Sequence, residues 1–129
     1  MNAVRILLAV GLILNGAWMI ADPALWYAHI PGVRDTGPLN AHLARDVGVA
    51  YLVAGGGLAA AALIGPRWRP AAWTGVAFLF GHGLVHLGEA LADVASLGHL
   101  LRDAPAVLGV PLAAAWSLRQ SVRRENHAC

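Results

Sequence analysis

From Val47 to Ile64 the sequence carries no charged residue, and an unbroken apolar run of about 18 residues or more is what a helix needs to cross the hydrocarbon core of a bilayer. That segment constrains the chain more than any other. Composition extends the argument to the rest of it, because 58% of the 129 residues are hydrophobic and only 12% are charged. So few charges cannot cover an ordinary water-soluble domain. The same apolar content excludes a disordered chain. A single cysteine, Cys129, excludes a disulfide framework. Net charge is only +2, and the arginines form no continuous stripe, so nucleic acid is excluded as a partner.

The hydropathy pattern predicts an all-α, single-domain integral membrane protein over residues 1–129, a bundle of four transmembrane helices at about 4–21, 42–64, 70–92 and 100–118. Asp22-Pro23 ends the first helix, since proline disfavours a helical residue before it. Arg5 ahead of an apolar stretch is reminiscent of a secretory signal, but Trp18 and Met19 stand where a cleavage site needs small residues. A retained helix is expected. The fourth helix is the weakest, for its charge-free stretch Ala104 to Leu118 covers only about 22 Å, and Pro111 should kink it. Arg5, Arg67, Arg69, Arg119, Arg123 and Arg124 fall on one side of this arrangement, and Arg34, Arg45 and Arg102 lie on the other among six acidic residues. The positive-inside rule then puts both termini in the cytoplasm, which for a bacterium means the inner membrane. Residues 22–41 and 92–100 become outer loops, the first able to fold over the bundle mouth with Trp26-Tyr27 as an interface anchor and Asn40 as the N-cap of the second helix. Small residues four apart, as at Ala44 and Gly48, Gly57 and Ala61, and Ala77 and Gly81, are expected where helices approach closely in lipid.

Ionisable residues within membrane spans are costly, so each is a candidate for function. His82, His86, Glu89 and Asp93 follow i, i+4, i+7, i+11 on one helix face, and His42 and Asp46 share a face of the preceding helix. Counting about 1.5 Å per residue from Pro70 puts His82 near 18 Å and His86 near 24 Å in a core about 30 Å thick. Asp46 should then be level with His86, and Tyr51 level with His82. Histidine with carboxylate at this spacing suits a transition metal such as Zn, Cu(II), Fe or Mn. The expected ligands are His82, His86, Glu89, Asp46 and His42, with Tyr51 at the floor of the site and His99 as a cap. With Met1 and Met19 the only methionines, thioether-rich Cu(I) transport is disfavoured. Gly83 stands where a zincin helix has its glutamate, which excludes a metalloprotease.

Pro31-Gly32-Val33, Thr36-Gly37-Pro38-x-Asn40-x-His42-x-x-Arg45-Asp46-x-Gly48 and the paired His82 and His86 together resemble small four-helix bacterial membrane proteins of the DoxX-like group. The resemblance implies the four-helix layout and singles out His42, Arg45 and Asp46, without implying a chemistry. The residues themselves point to an outward-facing His/carboxylate site binding a transition metal in a redox or metal-handling role. The alternatives are an accessory subunit of a larger membrane complex or a homo-oligomer, in which the polar cluster is structural, and a haem or quinone protein, in which histidines on the second and third helices would ligate haem axially.

Overall fold

A computed structural model describes residues 2–92 and 95–126, all helices and connecting turns, with no strand among them. Helix α1 covers Asn2–Ala21, α2 Pro23–His29, α3 Ala41–Leu63 and α4 Arg69–Ala92. Helix α5, Ala95–Ala104, passes through a π-helical turn at Pro105–Gly109 directly into α6, Val110–Asn126. Three stretches are long and apolar enough to cross a membrane: Asn2–Ala21, Ala41–Leu63 and Pro66–Ala92.

Helix α1 packs against α3, α3 against α4, α4 against α6, and α6 returns to α1, which closes a four-helix ring. Small residues set the spacing. A β-carbon on Gly16 would lie 2.5 Å from the Gly48 carbonyl oxygen, and one on Gly55 would lie 2.9 Å from that of Ala9. The later residue of α3 thus meets the earlier residue of α1, so the two helices are antiparallel. Gly57 against Ala71 and Gly75 against Ala54 repeat the relation between α3 and α4. Backbones at such separations gain dispersion contacts and weak Cα–H···O bonds along the whole interface.

Of the expected small-residue pairs, Ala44 with Gly48 and Gly57 with Ala61 are buried between helices, whereas Ala77 and Gly81 face outward, as does Gly56 on α3. Nothing lies within 4 Å of where a β-carbon on Gly56 or Gly81 would sit.

The apolar core is built from all four ring helices: Ala9 and Leu12, Ala54 and Leu58, Ala72 and Val76, Ala114 and Leu118 are among its members. These positions lie toward the end of the bundle that carries the tight turn Gly65 to Trp68. The opposite end therefore has room for polar side chains. On the outside of the ring Leu7, Leu14, Val53, Leu63, Leu84 and Leu91 are exposed, an apolar envelope of the kind that faces lipid.

Two elements differ from the sequence expectation. The segment after α1 is not simply a loop: Asp22 Oδ1 accepts from Leu25 N at 2.9 Å and Pro23 takes the first helical turn. An N-cap followed by proline starts a helix, so the same dipeptide that ends α1 begins α2. The last helix also departs from 100–118. It begins at Ala95, loosens into the π-turn ahead of Pro111 and continues to Asn126. Proline has no N–H and its ring crowds the carbonyl four residues earlier, here Val107, and the helix widens into a π-turn there. Asn40 caps α3 as expected, its Oδ1 accepting from Leu43 N at 3.1 Å.

Candidate functional site

Three rings spaced four residues apart on α4, those of Phe78, His82 and His86, lie along one face. Tyr51 reaches this face from α3. Its ring meets Phe78 edge-on at 5.5 Å between centroids and His82 edge-on at 6.0 Å, while Phe78 stacks on His82 at 6.2 Å. His86 completes the column, 4.9 Å from His82 and nearly perpendicular to it. Edge-to-face contacts of this kind place the positive ring edge against a negative face. They hold the two half-buried imidazoles in fixed orientations. The expectation that Tyr51 is level with His82 is met.

Behind the pair, Gly83 is buried against the π-turn. A β-carbon there would lie 2.5 Å from the Val107 carbonyl oxygen and 3.1 Å from Leu108 Cδ2. The absence of a side chain at position 83 thus lets the widened part of the last helix lie directly on α4 at the residue next to His82 in sequence.

The remaining expected ligands do not join the pair: Glu89 lies on the same helix near His82, and His42 and Asp46 are placed elsewhere. His42 Nε2 lies 3.4 Å from Asp46 Oδ2, but their side chains are 88% and 60% exposed, so this pair faces outward. Glu89 is exposed as well. Among the described residues, no three His, Cys, Asp or Glu side chains form a group able to hold a metal ion. The five-residue arrangement of His82, His86, Glu89, Asp46 and His42 is therefore not assembled, because i, i+4 spacing aligns side chains on one helix without aiming that helix's stripe at its neighbour's. Asp93, His127 and Cys129, and the side chains of Arg123 and Arg124, lie outside the described residues.

The His-x-x-Arg-Asp-x-Gly element divides by role. Arg45 Nε donates to the Ile20 carbonyl at 3.2 Å, satisfying one of the acceptors that the end of α1 leaves open. Gly48 admits the backbone of α1, while His42 and Asp46 remain at the surface.

Polar contacts also fold the loop after α1 back on the bundle. Trp26 Nε1 donates to Asn15 Oδ1 at 3.0 Å, and Tyr27 Oη donates to the Gly37 carbonyl at 2.8 Å. Asn15 Nδ2 in turn reaches Met19 Sδ at 3.6 Å. Asn15 is the only strongly polar residue within the apolar part of the first helix, and Trp26 is its partner. Further along, Arg102 Nη1 donates to Asp35 Oδ2 at 3.0 Å, and Arg102 Nε to Asp103 Oδ1 at 3.1 Å. His99 Nε2 lies 3.9 Å from the same Asp35 oxygen. These groups join the 3-10 turn Val33–Thr36 to α5.

No family model matches this chain, and no curated protein or solved structure matches it. The DoxX-like likeness thus rests on the motif residues alone.

Proposed function

We propose that this chain is an integral membrane protein of four spans in a bacterial cytoplasmic membrane, with both termini cytoplasmic and a site in its outer half where His82 and His86 hold one transition-metal ion. The observation that carries this reading is the spacing of the two imidazoles. Imidazoles that share one ion at about 2.0–2.1 Å from each coordinating nitrogen must have their centres within about 6.5 Å of each other, and these two are 4.9 Å apart, near enough for side-chain rotation to bring a nitrogen of each to one ion. Tyr51 and Phe78 act as the outer support that keeps the rings in place, as groups around metal-bound histidines commonly do. Two protein ligands leave the other coordination positions to water or to a substrate, which suits a metal-handling or redox role better than a closed structural site. His42, paired with Asp46 at the surface, gives haem no ligand from α3 opposite His82, so the haem alternative is disfavoured.

A second reading, an accessory subunit of a membrane complex or a homo-oligomer, is favoured by one observation. Ala77, Gly81 and Gly88 point away from the bundle, and nothing lies within 4 Å of where a β-carbon on Gly81 or Gly88 would sit. Small residues turned to lipid can admit another helix.

Purified full-length protein in mild detergent, loaded in turn with Zn, Cu(II), Fe(II) and Mn and then desalted, should retain about one equivalent of one of them. His82→Ala and His86→Ala should each abolish retention, and His42→Ala should leave it unchanged. Wild type that keeps none of the four ions would remove the metal reading and leave the subunit reading.

A further inference from the structure

The two polar assemblies at the outer end of the bundle are connected by continuous backbone. Asp35 and Arg102 tie the turn after α2 to α5. Helix α5 runs without interruption through Pro105–Gly109 into α6, and Val107 within that turn is buried against Gly83. Gly83 is the neighbour in sequence of His82 and lies less than one helical turn from His86. A π-turn is a local loosening of the helix that recurs at functional positions, and Pro111 deprives the Val107 carbonyl of its usual helical donor. The contact at Gly83, next to His82 in sequence, is thus made by the least regular part of the last helix.

Gly32 shows how closely the other end is fitted. Its φ of +84° belongs to the left-handed region that favours glycine, and a β-carbon there would run into the Arg102 guanidinium and lie 2.8 Å from an Asp103 carboxylate oxygen. The chain passes over this ion cluster at a point where only a glycine fits.

We propose that the Asp35–Arg102 pair is a latch that positions His82 and His86 through the Val107–Gly83 contact. With the latch closed, α5 is held down and the π-turn rests on Gly83, which keeps the two imidazoles packed on Tyr51 and Phe78. When the latch is released, the π-turn lifts from Gly83 and the imidazoles gain freedom and exposure. Asp35, Arg102 and Gly83 are positioning residues in this scheme and touch no ligand. The latch is a property of the fold itself, while its value for controlling a bound ion rests on the metal reading above.

The test reads imidazole exposure directly, without a metal. Full-length protein in detergent is treated with diethyl pyrocarbonate, which acylates accessible neutral imidazole, and the rate at each histidine is followed by peptide mass spectrometry. His42, already at the surface, is the internal reference. Asp35→Asn should raise the rates at His82 and His86 about two- to fivefold, the range over which an exposed ion pair can shift a local opening. Gly83→Ala should raise them in the same direction. Combining Asp35→Arg with Arg102→Asp should return them toward wild type. Unchanged rates at His82 and His86 in Asp35→Asn, normalised to His42, would overturn the proposal, and so would a rise accompanied by faster amide hydrogen exchange throughout α1 and α3, which reports general loosening. Loss of metal retention in wild type bears on the metal reading alone and leaves this result standing.

Discussion

The guanidinium of Arg5, near the start of α1, donates a hydrogen bond to the backbone carbonyl of Ser117 in α6, 2.7 Å away and 112 positions later in sequence. Arg5 is only 3% exposed. Ser117 donates its hydroxyl separately to the Ala114 carbonyl at 2.7 Å, and a main-chain oxygen has two lone pairs, so the Ser117 carbonyl can accept from the arginine within a helix. The bond joins the first and last helices of the ring, whose direct packing is otherwise limited.

Replacing Arg5 by methionine should therefore loosen the ring at this seam. A buried hydrogen bond to a charged group contributes about 1.5–3 kcal/mol, and a loss of that size is expected in equilibrium unfolding in detergent. Arg5→Lys should recover only part of it, because an ammonium lacks the planar fork of the guanidinium. Stability within about 0.5 kcal/mol of wild type for the methionine variant would mean that the seam is held by apolar packing alone.

Glycine positions that look alike in sequence should respond oppositely to one added methyl group. At Gly16 a β-carbon would approach the Gly48 carbonyl oxygen to 2.5 Å, so Gly16→Ala must separate α1 from α3 and should cost about 1–3 kcal/mol. At Gly81 there is open space, and Gly81→Ala should be neutral or stabilising by up to about 1 kcal/mol through helix propensity. Unfolding midpoints of the two variants, measured side by side, check the contrast. Should Gly81→Ala instead weaken self-association, the outward small-residue face is an oligomer contact.

Much of the fold is legible in the sequence because apolar runs, caps and small-residue spacing are local signals. The three longest apolar helices lie within two residues of where hydropathy puts them, and Asn40 caps α3. What is not legible depends on neighbours. Arg5 reads as a topology signal from its charge alone, and only the approach of α6 turns it into a buried donor. Tyr51 and His82 meet because depth along antiparallel helices can be counted from the turn between them. Helix rotation cannot be counted in that way, and so His42 and Asp46 face outward while His82 and His86 pack on Tyr51. The start of α2 is present in Asp22-Pro23, where one dipeptide serves both as a stop and as a start.

Topology gives the next prediction. In the four-span arrangement proposed above, Arg5, the Gly65–Trp68 turn and the end of the last helix would share the cytoplasmic side, and Arg34 and Arg102 would lie outside. A reporter active only in the periplasm should be silent when fused after Cys129 and active when inserted near Arg34. Full activity after Cys129 with activity near Arg34 would mean that α6 does not complete a fourth crossing and would leave the His82 and His86 pair in the outer half, whereas full activity after Cys129 with silence near Arg34 would mean that the bundle is inverted and the pair lies in the inner half.

The column of rings on α4 gives the last prediction, and it separates the part played by the Tyr51 ring from that of its hydroxyl. Tyr51 meets both Phe78 and His82 edge-on, and those contacts belong to the ring. Tyr51→Phe keeps both and should bind metal as wild type does. Tyr51→Ala removes them and opens a space beside His82, and supports of metal-bound histidines typically matter by about 10- to 100-fold in affinity. A weakening near the lower end is expected, because Phe78 still stacks on His82. Both variants should lose metal on acidification, as wild type does, because protonation removes the lone pair through which imidazole binds an ion. Metal titration of the three proteins at two pH values decides the matter. Equal loss in Tyr51→Phe and Tyr51→Ala would make the phenol oxygen itself a ligand and overturn the supporting role assigned to the ring.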